Sequence, residues 1–548
     1  MRTDILIIGG GTGGVAAALA AARSGARVVV VEPTDWIGGQ FTAQAVPPDE
    51  NRWVESFGCN RSYAHLRRRV RDWYRDHLPL NPAARADDRL NPGNGWVSRL
   101  CASPAVWHAQ MLAMLEPHLR DGRLTLLTRH EAVAAELGGQ AGERIDAVRV
   151  RPVPGAPGSE QTITAACILD ATETGDVLEL ANVEHAIGAE HRSVYGELHG
   201  RDDKTHPLDQ QACSWCFALE HRPGENHVID KPARYDFWRS FVPQMRDGTS
   251  WTGPLLSWTV PSHNEQGRRT FRLVPWPDQP QPGEWEMWRY RRIADAALTD
   301  PPGVDVSLIN MVQMDYWLRP LLGVSRAERD AALAEAREQS LSLLYWMQTQ
   351  APRHDGDGIG YPGLKLRGDE LGTTDGLAKH VYIREPRRLI ARTIMHEGHL
   401  GTDQRRAEAR PVAPGAPEDL GSGEAFADSI AIGHYTIDLH PSCAGRNSVY
   451  VPCAPFSIPM GALIPKRVVN LLAAGKCLGV THVVNASTRM HTTEWAVGEA
   501  AGILAAWCVA HTRDPRDVHA DPAQVAQVRQ AMAAQGVALA WPWDAPQA

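Results

Sequence analysis

The chain is predicted to be an α/β protein whose sheet domain is interrupted by an inserted α+β unit, and three stretches predict it. Residues 3–32 read as apolar strand, glycine turn, alanine-rich helix and apolar strand. Sheet-like segments return late, in GHYTIDLH, SIPMGALIPK and NLLAAGKCLGVTH, before a helix of small residues. Between them, from about residue 190 to 425, long apolar runs give way to Trp, Pro and Arg. The expected organisation is 1–189, the first part of the sheet domain; 190–425, the insert; 426–512, the second part; and 513–548, a terminal helix and tail.

The opening strand is Ile5-Leu6-Ile7-Ile8, and the turn runs Gly9-Gly10-Gly11-Thr12-Gly13-Gly14. Gly9, Gly11 and Gly14 fit Gly-x-Gly-x-x-Gly: the first permits the tight turn, the second lets a pyrophosphate approach the backbone, the third lets helix and strand pack. A helix starting there offers free N–H groups and a positive dipole end to phosphate. Glu32 ends the second strand eighteen residues past Gly14, where a carboxylate accepts hydrogen bonds from an adenosine ribose. Together these features predict a Rossmann-like dinucleotide site. Next, DWIGGQFT pairs Gly38 with Gly39, so the backbone there passes close to a flat or charged group that Gln40 and Thr42 could hydrogen-bond.

Further on, YAHLRRRVRDWYRDH reads as a solvated amphipathic helix. Ser103 and Pro104 supply an N-cap and a first helical position, and strand-like segments follow at 124–127, 132–137 and 145–150. In the insert, Ser325 and Glu328 form a capping box for a helix to about Gln348, and PWPDQPQPGEWEMW marks its Trp- and Pro-rich character. Gly498 and Gly502, four apart, predict a close helix-packing face. Asp521-Pro522 opens a last helix that Gly536 ends.

Composition narrows the function. Hydrophobic residues at 43% and charged residues at 22% over 548 positions are those of a soluble globular protein of two or three domains. A net charge of −8 argues against nucleic acid and anionic membrane surfaces as partners. No apolar run is as long as a membrane span, and no signal peptide is read before the first strand. Nine scattered cysteines fit a reducing cytoplasm, the expected location. A homo-oligomer is left open.

The glycine turn alone does not separate NAD from FAD. The chain has no second Gly-x-Gly-x-x-Gly after a strand, ILDATETGD runs a strand into Ala171-Thr172, and NLLAAGKCLGVTH repeats a strand-to-glycine design. With DWIGGQFT, SLINMVQMDYW, YIREPRRLIA and YTIDLH, the sequence resembles the FAD-dependent oxidoreductase family of the glutathione-reductase-like flavoproteins, and more narrowly its xanthan-lyase-like bacterial members. The resemblance covers nearly the whole chain. It implies a discontinuous, Rossmann-like FAD-binding domain of glutathione-reductase type with an inserted substrate or cap domain. It further implies Gly9, Gly11, Thr12, Gly13 and Gly14 at the pyrophosphate, Glu32 at the ribose, and Gly39, Gln40 and Thr42 near the pyrophosphate and flavin. Ala171 and Thr172 would flank the adenosine end, Val133 would touch adenine, and Gly475 would lie by the ribityl chain. Lys476 departs from the wider superfamily, where an acid often follows that glycine.

Hydride removal by a flavin needs a proton acceptor beside the substrate carbon. The candidates are Tyr435, Asp438 and His440 of GHYTIDLH, and His482, Arg489 and His491 of THVVNASTRMHTTEW. Asp438 and His440 share one face of a strand, and an Asp can orient a His base. Each is equally readable as a buried structural polar group. Arg489 suits a substrate carboxylate, an anionic flavin or a plain salt bridge, and Arg384, Arg387 and Arg388 suit interdomain ion pairs. Cys213 and Cys216 alternate to opposite faces of a strand, which argues against a redox pair. His396 and His399 have the wrong spacing for a helical zinc motif, so no metal is expected. The expectation is an FAD-dependent dehydrogenase or oxidase. It removes a hydride from a small or medium organic substrate to flavin N5, and oxygen or a separate acceptor reoxidises the flavin. The alternative is a lyase or isomerase using FAD without net redox turnover.

Overall fold

A computed structural model describes residues 1–246, 251, 253–261, 268–273, 284–356 and 358–544. Much of the expected Pro-rich PWPDQPQPGEWEMW, residues 275–283, lies outside them. The main sheet holds β1 (Arg2–Ile8), β2 (Val28–Glu32), β3 (Leu124–Thr128), β4 (His130–Gly138), β5 (Arg144–Pro152), β6 (Gln161–Asp170) and β7 (Leu471–Ala473). Five are parallel, in the order β3-β2-β1-β6-β7. Their apolar runs are buried on both faces, as parallel strands require. β6 changes partner along its length: its start pairs antiparallel with β5 (Val148 opposite Ile163) and its end pairs parallel with β7 (Ile168 opposite Leu471). A strand from beyond residue 470 thereby completes a sheet begun at residue 2.

The helices follow from their sequences. α1 (Thr12–Arg23) and α6 (His491–His511) are built of small residues and press together: a Cβ on Gly498 or Gly502 would strike the carbonyl of Gly13 or Ala17. α4 (Arg326–Thr349) starts at Ser325 with its capping box formed. α2 (Arg61–His77) is amphipathic as read, yet not wholly solvated. Arg67 and Arg71 are buried against Glu50 and Glu55, because the two carboxylates compensate both cations. The expected helices from Ser103 and Asp521 are α3 (Pro104–Arg120) and α7 (Pro522–Gln535), with α5 (His482–Thr488) between β7 and α6.

One hydrophobic core gathers β1, α1, β2, α6 and side chains as late as Val537. A second draws on residues 212–383 and contains Trp238, Trp251, Trp258, Trp288, Trp317 and Trp346, so these tryptophans serve packing. Among the described residues no helix is long and apolar enough to cross a membrane.

Candidate active site

Gly9 turns with φ +98°, and a Cβ there would strike the Ala171 carbonyl. Gly11 and Gly39 face the Glu173 carboxylate, which a Cβ on either would meet at 2.7 and 2.6 Å. Gly13 and Gly14 point elsewhere: their Cα atoms lie against the carbonyls of Ala474 and Gly9, where they let α1 pack close. Thr12 donates to the Gly38 carbonyl at 3.1 Å and so joins the two glycine loops. Glu32 is buried, accepting from Gly10 N–H at 2.8 Å and from the N–H and hydroxyl of Thr34 at 2.8 and 2.7 Å. Burial pushes its carboxyl up to about 7, against the pull of the hydrogen bonds from Thr34 and Gly10.

These residues surround a cavity of about 490 Å³ lined by Gly9, Gly11, Glu32, Val133, Ala171 and Thr172. The width left by absent Cβ atoms, the N-terminus of α1 and the acid at the end of β2 together fit a dinucleotide. Gln40 and Thr42 are turned away from it. Thr42 donates to Ile37 O at 2.7 Å, and Gln40 donates to Arg489 O at 2.9 Å and to Glu494. Gly475 is less confined, since a Cβ there would make only ordinary contacts, the nearest with Glu494 at 3.5 Å. Lys476 is buried, ion-paired with Glu173 and bonded to Ile383 O at 2.8 Å. Glu173 carries no signal of its own in the sequence, although it directly follows the predicted Ala171-Thr172.

A second cavity, of about 120 Å³, is lined by Tyr382, Arg384, Asp438, His440 and Arg489. His440 stands between two carboxylates: Nδ1 is 2.6 Å from Asp315 Oδ2 and Nε2 is 3.3 Å from Asp438 Oδ2. Asp315 is fully buried, accepts from Ser214 at 2.8 Å and pairs with Arg384 at 3.0 Å. Burial works against its charge, but Arg384 and His440 hold the carboxyl below the usual range. Asp315 lies in the stretch SLINMVQMDYW, but no local spacing links it to His440, 125 residues away. Arg489 donates to Tyr382 Oη at 2.6 Å and to Asp438 O at 2.9 Å, with the Asp438 carboxylate at 3.6 Å. Through its own carbonyl it is tied to Gln40, which links this cavity to the glycine loops.

His482 is placed apart from these groups. Its Nδ1 is 2.9 Å from Glu385 Oε1, and Glu385 also holds Arg388, which reaches Glu190 at 2.7 Å. Tyr435 donates to Asp49 at 3.3 Å, and His491 Nδ1 accepts from Asp49 N–H at 3.1 Å; burial pulls this histidine down to about 3. Arg387 pairs with Asp176 at 3.3 Å and with Glu179. Cys213 and Cys216 fall in different cores and are free thiols, each pushed up to about 12 by burial. Among the described residues no cluster could hold a metal ion.

No curated protein matches the chain significantly. Among solved structures, E. coli quinol fumarate reductase FrdA is 13% identical with TM-score 0.30, the match covering 97% of this chain and 74% of that one. The myxobacterial chondrochloren halogenase CndH is 18% identical with TM-score 0.25, covering 42% of this chain and 45% of that one. This chain thus spans under half of the halogenase's length. The sequence profile of the family described as FAD dependent oxidoreductase matches residues 4–532, nearly the whole chain. With that match over nearly its whole length, the chain belongs to the FAD dependent oxidoreductase family.

Proposed function

We propose that this FAD-dependent oxidoreductase oxidises a small organic molecule bound in the cavity beside His440. When bound, FAD would supply the two-electron acceptor for a hydride at N5, to be regenerated by oxygen or a separate acceptor. In this reading Gly9, Gly11, Gly39, Glu32, Val133, Ala171 and Thr172 hold the cofactor. Residues 1–189 and 426–512 form its binding domain, of glutathione-reductase type, and 190–425 form the cap. The second hydrophobic core, drawn from residues 212–383, supports a separate cap, although Leu389, Ala391, Met395 and Leu400 pack into the first core.

The observation that carries the reading is His440, held by Asp315 at 2.6 Å and meeting Asp438 at 3.3 Å through its other edge, with both His440 and Asp438 lining the cavity. When a substrate O–H or N–H loses its proton as the neighbouring C–H bond breaks, Nε2 of His440 takes that proton. Asp315 fixes the ring and steadies the resulting imidazolium. Arg489 positions Asp438 and keeps the cavity cationic.

The test is an absorbance spectrum of the purified protein followed by anaerobic mixing with candidate substrates. Bound flavin that bleaches stoichiometrically supports the reading. Product formation without bleaching would replace it with FAD-dependent lyase or isomerase chemistry, and failure to take up FAD would overturn it.

A further inference from the structure

We propose that Arg291 receives the carboxylate of a small 2-hydroxy acid, whose hydroxyl is met by Asn310. The inference rests on the reading of the second cavity as the substrate site. Arg291 lines that cavity, as does Arg489. Its Nε and Nη1 atoms are enclosed and donate to nothing among the described residues. Enclosed guanidinium donors without acceptors are uncommon, since each forfeits its hydrogen bonds to water. The other three cations of the lining are engaged: Arg384 pairs with Asp315 at 3.0 Å, Arg489 lies 3.6 Å from Asp438, and Arg269 stacks over the Trp285 ring at 4.1 Å. Asp49 is the remaining acid on the wall and attracts both Arg291 and Arg489 through space, but it accepts no hydrogen bond from the enclosed Nε and Nη1 of Arg291. Four arginines thus line the cavity with two carboxylates, Asp49 and Asp438, which leaves it short of negative charge, and a guanidinium fork suits a carboxylate.

Asn310, buried on the same wall, adds the second half. Its Oδ1 accepts from nothing among the described residues, so the resting ligand's hydroxyl donates there and turns its proton to Nε2 of His440 only as the C2–H bond breaks. An ammonium would sit badly among arginines; a hydroxyl carries no such penalty. Size narrows the class again. About 120 Å³ is well below the roughly 300–1,000 Å³ of pockets for drug-sized ligands, so the acid is compact. Phe271, Trp285 and Tyr450 supply apolar wall for a short side chain.

The probe is 2-hydroxyisobutyrate, which resembles a substrate but has no C2 hydrogen to lose. Its binding to the FAD-loaded protein is followed by calorimetry beside its neutral amide, isobutyrate and inorganic phosphate. The expected result is binding of the hydroxy acid, with the amide at least tenfold weaker. Arg291→Gln should lose at least tenfold at unchanged flavin content, with Arg291→Lys in between, and Asn310→Leu should erase the preference over isobutyrate. Equal affinity for acid and amide, no binding at tens of millimolar, tighter binding of phosphate, or an unaffected Arg291→Gln would each overturn it. Arg291→Lys carries the test should Arg291→Gln not fold. A chain that took up no FAD but still bound the acid through Arg291 would sink the redox reading and leave this one standing.

Discussion

His440 and His482 share a local chemistry and differ in surroundings. Each presents Nδ1 to a buried carboxylate that also holds an arginine, Asp315 with Arg384 in one case and Glu385 with Arg388 in the other. The His440 side chain keeps 19% exposure, toward a cavity shared with Arg489. That of His482 keeps 2%, and its backbone N–H is bound to Glu190 at 2.9 Å. An acid, a histidine and an arginine can make either a proton shuttle or a buried brace. What separates them is whether a reacting molecule can touch the ring.

The largest expected effect is on His440. His440→Asn should lower kcat/KM by roughly 10²–10⁴-fold, the usual worth of a positioned base, with FAD content unchanged. A loss below tenfold in stopped-flow reduction would remove His440 from the chemistry. His482→Gln should instead cost stability, about 3 kcal/mol for a buried charge cluster deprived of one member. That cost would appear as a lower urea midpoint. Should His482→Gln reduce the rate per bound flavin as much as His440→Asn, the comparison is broken.

The brace also predicts a pH dependence. Burial would raise the Glu385 carboxyl, but His482 and Arg388 hold it down to about 2 against an ordinary 4.5. A carboxyl whose folded value is depressed stabilises the protein above its unfolded value and loses that contribution as pH falls through the folded one. Roughly 3 kcal/mol should therefore drain away between pH ~4.5 and ~2, at about 1.4 kcal/mol for each pH unit separating the two values. Glu190 and Arg388 face the same group, so Glu385→Gln, with both retained, should flatten that window of the acid-unfolding curve. An unchanged curve would show that the cluster contributes nothing.

The contrast also explains what could be read from the sequence. The two glycine loops and the acid beside them were legible because they are local: Gly9 to Gly14, Glu32 and Gly38-Gly39 fall within forty residues, where backbone geometry dictates residue type. The paired helices were legible for the same reason, since Gly498 and Gly502 announce a close approach without naming the partner helix. The pair Asp438 and His440 was visible through strand periodicity, but Asp315, Arg291 and Asn310 were not. They reach the cavity from segments more than a hundred residues away and obey no spacing rule. His482 looked equivalent to His440 because sequence reports a residue's type, and only packing reports what lies beside it.

The smallest expected effect concerns the two acids on His440, which lie at unequal reach. Asp315 meets Nδ1 at 2.6 Å and is itself fixed by Arg384 and Ser214, whereas Asp438 meets Nε2 at 3.3 Å. A neutral imidazole carries one N–H, so it can donate to only one of two carboxylates. The shorter, better anchored contact claims that proton, which leaves Nε2 with the lone pair that a substrate proton needs. Asp438 is then a group that substrate displaces from Nε2, and its remaining work is to orient Arg489. Asp438→Asn should accordingly cost about tenfold in kcat/KM, close to one exposed charge interaction, and should act mainly on KM. A loss as deep as that of His440→Asn, carried by kcat, would make Asp438 the acid that orients the base and reverse the roles of the two carboxylates.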